Sequence, residues 1–241
     1  MVQSVAEALA SLLMIDMVEP GFPVIVGAWP FVSDLRTGAF TGGSGEEAVV
    51  TAGAAQMLNF YGVPSSVGAG MTDAKTPDCQ AGYEKALAVA LAAHTGCNNV
   101  SESAGMLGSL MALSLESMVI DNDMLGAILR TVRGIEVNEE TLSYHVMEQV
   151  VHGEGHFLRT EQTLELMRTE YEYPALADRR TPGEWETAGS PDIREMAGER
   201  VRSILSTHYP EYIEPGIDAK IRETFPILLP REAMSAASGR W

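Results

Sequence analysis

The stretch "VGAGMTDAKTPDCQAGYEKAL", Val67–Leu87, sets Asp73, Lys75 and Asp78 in a short loop between an apolar run and a helical one. Two carboxylates and an amine at a strand-to-helix handover suit the binding of a charged ligand, because parallel α/β proteins bind ligands at the carboxyl ends of their strands. Two further loops stand at equivalent places. The first carries Trp29, Asp34, Arg36, Phe40 and the Gly42–Gly43–Ser44 approach to a helix. The third carries Glu102, Ser103, Gly105 and Met106. Loop aromatics beside acidic groups suit a cation, and free N–H groups near Ser44 suit a carboxylate or phosphate.

Each feature has a plainer role. Asp73 and Asp78 equally serve as turn and cap residues, and Arg36 and Lys75 as solvated loop charges. "GAGMTD" is not a dinucleotide fingerprint, since Asp73 stands where a third glycine belongs. In "HGEGH" two glycines break the helix that a zinc-protease motif requires, so no metal ligands are assigned to His152, Glu154 or His156. Ser44 and Ser103 have no nucleophile-elbow context.

These loops need a scaffold, and the first two-thirds of the chain supplies one. A helix at about 2–17 precedes the strand "FPVIVGAW", a Gly-rich loop and a helix at about 46–60. The strand "VPSSVGAG" leads to a helix at about 79–94, and "CNNVSES" to the loop "AGML" and a long helical stretch ending near Arg133. Strands alternating with helices of this length imply parallel βαβ units. Ser44 with Glu47 reads as a capping box and Asp78 as a cap. Tyr83, Leu87, Ala90, Leu91 and His94 fall on one stripe of the third helix. Beyond Gly134 the pattern turns helical. "VNEETLSYHVMEQV" reads as a helix capped by Asn138, "TEQTLELMRTEY" as another, 174–191 as a linker, and 192–208 and "DAKIRETF" as further helices. The divisions expected are 1–134 for the βα units, 135–230 for a helical extension and 231–241 for a disordered tail. Three parallel strands are few for a closed fold, so they read as the last part of a barrel or as a small open sheet.

Composition narrows the partners. With 33 acidic and 16 basic residues the formal net charge is -17, a field that repels nucleic acid and anionic lipid. The chain is 46% hydrophobic and 20% charged, as expected of a globular protein. Cys79 and Cys97, without C-x-x-C spacing, point to a reducing compartment and hence the cytoplasm. No apolar run reaches about 20 residues, so no membrane span is expected, and the N-terminal stretch lacks the basic region of a signal peptide.

"GFPVIVGAWPFVSDLRTGAFTGGSGEEAVV", "YGVPSSVGAGMTDAKTPDCQAGYEKAL", "SESAGML", "VIDNDMLG", "RGIEVNEETL" and "GHFLRTEQTLELMRTEY" together resemble the trimethylamine/glycine betaine:corrinoid methyltransferase family. The similarity runs from about Ala6 to about Pro226. The resemblance implies the C-terminal part of a TIM (β/α)8 barrel, about three βα units, followed by a helical extension. The expected reaction moves a methyl group from a methylated amine to Co(I) of a separate corrinoid protein, with no cofactor bound tightly by this chain itself. Because the sequence holds only standard residues, it is similar to the branch without pyrrolysine, associated with quaternary amines such as glycine betaine. For that reaction Asp73 and Glu102 are the residues expected to be catalytic, as carboxylates able to hold the cation. Trp29 and Phe40 would join them around the cation, Arg36, Lys75 or the N–H groups near Ser44 would take a carboxylate, and Met106 completes the substrate-binding set. A start within a barrel helix of the family points to a truncated product, a split gene or a misplaced start, and a part-barrel is expected to form homo-oligomers. The rival expectations are an inactive fragment serving as a binding or oligomerising module, and a lyase using Lys75 as a Schiff base.

Overall fold

In a computed structural model of the chain, which describes residues 1–239, the strands are β1 (Val26–Gly27), β2 (Ser65–Gly68) and β3 (Asn99–Ser101). They form one parallel sheet in the order β1-β2-β3. Val26 pairs with Ser65, and Val67 with Val100. Helix α1 (Val2–Val18) precedes the sheet, and α2 (Gly45–Phe60), α3 (Cys79–His94) and α4 (Leu115–Arg133) follow the three strands in turn. Local chemistry starts these helices. Ser44, Asp78 and Ser114 each accept the backbone N–H three residues on, satisfying donors the helix cannot use. Strands are shorter than the apolar runs that predict them. In β1 only Val26 and Gly27 meet a partner, while Phe22 and Ile25 stay exposed.

The helices pack on one face of the sheet. Val67 and Ala69 join Ala48, Ala55, Ala88, Val89, Ala92 and Ile128 in one apolar cluster, and Val26 and Ala28 join Ala8, Ala54 and Leu58 in another. The contact is made largely by alanines, whose small side chains let helix and sheet approach closely. The opposite residues of the strands are Gly27, Ser66, Gly68, Asn99 and Ser101, small or polar, with Asn99 Nδ2 donating to Ser66 Oγ at 3.0 Å.

Three departures from the sequence reading stand out. The stripe of α3 carrying Tyr83, Leu87 and Leu91 faces outward, Tyr83 being 61% exposed, and the buried side carries Ala81, Glu84, Lys85, Ala88 and Ala92. A two-stranded antiparallel hairpin, β4 (Met106–Leu107) with β5 (Ala112–Leu113), occupies the end of the expected loop "AGML" and the start of the expected long helix. Finally, α5 spans Tyr144–His152 only. Asn138 instead closes a turn, its Oδ1 accepting from the Glu140 and Thr141 amides.

Helix α6 (Glu161–Thr169) follows, capped by Thr160. Asp123 of α4 accepts the amides of Ala175, Leu176 and Ala177, which fixes the first residues of the expected linker. The chain divides at Arg180 and Thr181 into two compact units. The second holds α7 (Pro182–Thr187), α8 (Ile193–Thr207) and α9 (Pro215–Thr224). Helices α7 and α8 both open with complete capping boxes, Thr181 with Glu184 and Asp192 with Glu195. Short 3-10 turns at Arg231–Met234 and Ala236–Ser238 lie in the stretch read as a disordered tail, whose residues 240–241 lie outside those described. Among the described residues no helix is long and apolar enough to cross a membrane.

Candidate functional site

Beyond β2 the chain passes through Gly70, at φ +96°, where an added Cβ would lie 2.7 Å from Ser103 Cα. Only glycine permits both that backbone and that approach, so the second loop runs hard against the third. Met71 and Thr72 are buried, and the loop is then drawn onto α3 by Glu84. The Glu84 Oε2 accepts from Thr72 Oγ1 at 2.5 Å and from the Asp73 amide at 2.8 Å, while Gln80 Nε2 donates to Oε1 at 2.8 Å.

The first loop closes from the other side. Gly43 lies against the Glu84 carboxylate, and a Cβ there would meet it and come within 2.9 Å of the Asp73 amide. Backbone cannot yield as a side-chain end can. Gly43→Ala is therefore expected to cost about 1–3 kcal/mol and to pull the first loop off Asp73. A denaturant titration checks this, and an unchanged midpoint would contradict the packing.

Three loops thus meet at the Asp73 side chain. Thr41 Oγ1, from the first, donates to Oδ2 at 2.6 Å. Ser109, from the turn of the β4–β5 hairpin, donates to Oδ1. The hairpin is docked by backbone bonds, Gly108 N–H to Ala74 O and Ser109 N–H to Thr72 O, each 2.8 Å. Among the described residues no Lys or Arg pairs with the Asp73 carboxylate: Lys75 Nζ donates instead to the Asp73 carbonyl at 2.6 Å. The cleft in front also holds Asp34, Arg36, Ser44, Tyr83 and Glu84. A further acid, Glu47 of α2, is buried behind it. Burial pushes its carboxyl up to about 7, with the Asp73 charge adding and the nearby Val32 amide and Thr51 hydroxyl pulling the other way.

Of the residues expected from sequence, Asp73, Arg36 and Ser44 line this one cleft. Arg36 is tied to Asp34 at 2.5 Å with its side chain 88% exposed, which holds the Asp34 carboxyl down near 2. Ser44 serves as the α2 cap. Lys75 is exposed beside Asp73. Trp29 lies over Gly27 and Gly68 and lines a separate cleft shared with α1. Phe40 packs edge-on against Phe31, ring centroids 4.9 Å apart. Glu102 is half-buried at φ +58°, and Met106 sits in β4, neither in the Asp73 cleft. The Glu154–His156 pair is 3.3 Å apart, and among the described residues no group of three or more His, Cys, Asp or Glu is placed to hold a metal ion.

Sequence reasoning missed Thr41, Ser109, Glu84 and the buried Lys85–Asp121 pair. Lys85 Nζ reaches Asp121 Oδ2 at 2.5 Å and Ser117 Oγ at 2.7 Å, and the same Asp121 oxygen accepts the Gly105 amide at 2.7 Å. Glu84 and Lys85, adjacent on α3, thus hold the second loop and the base of the hairpin. Consecutive charges on the side of α3 carrying the alanines are the one signal that pointed to them.

Fold and cleft define an α/β chain with a polar, largely acidic cleft beyond the ends of parallel strands. The chain belongs to the trimethylamine methyltransferase (MTTB) family, whose model matches residues 1–227. It is 36% identical over 217 residues to a glycine betaine methyltransferase of Desulfitobacterium hafniense, covering 90% of this chain and 45% of that protein. It is 37% identical over 215 residues to the trimethylamine methyltransferase MttB of Methanosarcina thermophila, covering 88% of this chain and 43% of that one. The chain therefore spans less than half the length of these curated relatives.

Proposed function

We propose that the chain forms part of an amine:corrinoid methyltransferase. In this reading a methylated amine, quaternary as in glycine betaine, lies against Asp73 and gives a methyl group to Co(I) of a separate corrinoid protein. The observation that carries it is the Asp73 carboxylate: both oxygens take hydroxyl donors, three loops hold it, and among the described residues no basic side chain neutralises it. Such a charge has room for a cation that cannot donate a hydrogen bond. The names of the relatives, glycine betaine and trimethylamine methyltransferases, support the substrate class. The packing of all four flanking helices on one face of the parallel strands supports reading these units as part of a TIM barrel.

The chemistry asks little of acid or base. In-line attack on the methyl carbon forms a bond to cobalt as the C–N bond breaks, and the electron pair stays on nitrogen. A quaternary ammonium leaves as a neutral tertiary amine, so no proton is needed. The chain's own task is to hold the cation oriented and partly dry, with Asp73 as counter-charge, Thr41 fixing that carboxylate, and Arg36 or the free amides near Ser44 placed for a carboxylate at the far end. The corrinoid protein is a co-substrate in this scheme.

Anaerobic methyl transfer to cob(I)alamin, followed by absorbance with glycine betaine and a panel of methylated amines, tests the reading together with calorimetric titration of glycine betaine. Saturable binding is expected, weakened at least about tenfold in Asp73→Asn, the scale of a lost charge-assisted contact. Equal binding by the two chains would overturn it. A second reading, a non-catalytic binding or self-associating module, draws on β1 and β3 each pairing along one edge only among the described residues. Concentration-dependent association with no amine binding at millimolar concentration would favour it.

A further inference from the structure

The hairpin turn holds two consecutive non-glycine residues in the left-handed region, Ser109 at φ +52° and Leu110 at φ +75°. That backbone is rare outside glycine and persists where surrounding structure over-determines it, often at functional sites. Here the surroundings are explicit. The turn is bonded to Thr72 and Ala74 of the second loop, and the hairpin base is held by Asp121 through Gly105. The outcome of this arrangement is one contact, Ser109 Oγ to Asp73 Oδ1.

The direction of that hydrogen bond is set from the first loop. The Gly42 N–H points at Ser109 Oγ across 3.5 Å, so the serine oxygen accepts there and its proton is turned to Asp73. The other carboxylate oxygen is held by Thr41. With both oxygens accepting, the carboxylate is fixed in rotation and presents its remaining lone pairs to the cleft.

We propose that Ser109 is a positioning residue that makes the cleft select for charge: by locking Asp73 it sets the counter-charge against an ammonium, and without it the carboxylate turns away or is solvated. This rests on the reading that a cation binds at Asp73.

The variant Ser109→Gly separates this from a role in folding. Glycine accepts the left-handed backbone without penalty, so the melting temperature is expected to hold or rise. Glycine betaine affinity, by contrast, is expected to fall about tenfold, the scale of one lost hydrogen bond to a charged group. Binding of the uncharged-headgroup isostere 3,3-dimethylbutanoate is expected to stay within about threefold, so the preference for the cation shrinks. Leu110→Gly, which relaxes the same turn and keeps the hydroxyl, is expected to bind both ligands as the parent does.

If the parent chain shows no preference for glycine betaine over 3,3-dimethylbutanoate, the cation reading itself fails. If the parent shows the preference and Ser109→Gly retains it, the inference about Ser109 fails alone. If Leu110→Gly loses as much as Ser109→Gly, turn rigidity and not the hydroxyl is responsible, and the proposal is overturned.

Discussion

Asp121→Ala is expected to lose about 3–5 kcal/mol of folding stability, the cost of breaking a buried ion pair by removing one partner. The Lys85 side chain has no solvent exposure and that of Asp121 only 6%. Removing the carboxylate strands an ammonium whose other hydrogen-bond partner is Ser117. It also frees the Gly105 amide at the base of the hairpin. A domain is commonly stable by about 5–15 kcal/mol, so the variant should sit near the edge of folding at ordinary temperature. Urea titration followed by circular dichroism measures the loss. The matched double variant, Lys85→Met with Asp121→Leu, removes both charges and keeps an apolar filling. It is expected to recover most of the stability, since replacing a buried pair by well-packed apolar groups is often neutral or better. A loss below about 1 kcal/mol in Asp121→Ala would show that water reaches the pair.

The same pair shows what could be read in the sequence and what could not. Features made by residues a few positions apart were legible. Ser44 and Asp78 were recognisable as caps because their acceptor and donor lie three residues apart. Asp73 was recognisable as a loop carboxylate beyond a strand end because strand, loop and helix follow directly on one another. Its partners were not, because Thr41 and Ser109 are 32 and 36 residues away and have no local mark. The hairpin escaped notice because its strands have two residues each and its turn, Gly108–Ser109–Leu110–Met111, uses a left-handed serine and leucine where glycine or asparagine is usual. The face of α3 was misread for a different reason. Large apolar residues mark a buried side only when there is space for them. Against α2 and the sheet there is space for alanine, and two charged residues are accepted there because Thr72, Gln80, Ser117 and Asp121 satisfy them. Trp29 and Phe40 read as neighbours of Asp73 because all three sit in adjoining loops, yet Trp29 folds back over the small residues of β1 and β2.

Glu47→Gln is expected to change how stability depends on pH. The Glu47 residue is 2% exposed, and its Oε2 finds no hydrogen-bond partner of normal geometry among the described residues. Burial, with the Asp73 charge adding, lifts its carboxyl from the ordinary 4.5 to about 7. A carboxyl raised in the folded state binds more protons folded than unfolded between those two values. Its favourable contribution is therefore complete below about 4.5 and is lost as pH rises through about 7. The displacement corresponds to about 3 kcal/mol as an upper bound. Glutamine carries the same shape with no charge to bury. The parent and Glu47→Gln should thus be similarly stable near pH 4.5, and the variant should gain on the parent up to about pH 7 and above. Urea titrations of both chains across that range measure the difference, and a difference independent of pH would remove the buried-acid account. Asp73 supplies a further check, because its charge contributes to the rise. In an Asp73→Asn background the gain from Glu47→Gln should be smaller and end at a lower pH. On the proposed reading, a cation bound at Asp73 would offset that charge and act in the same direction, letting Glu47 ionise at a lower pH.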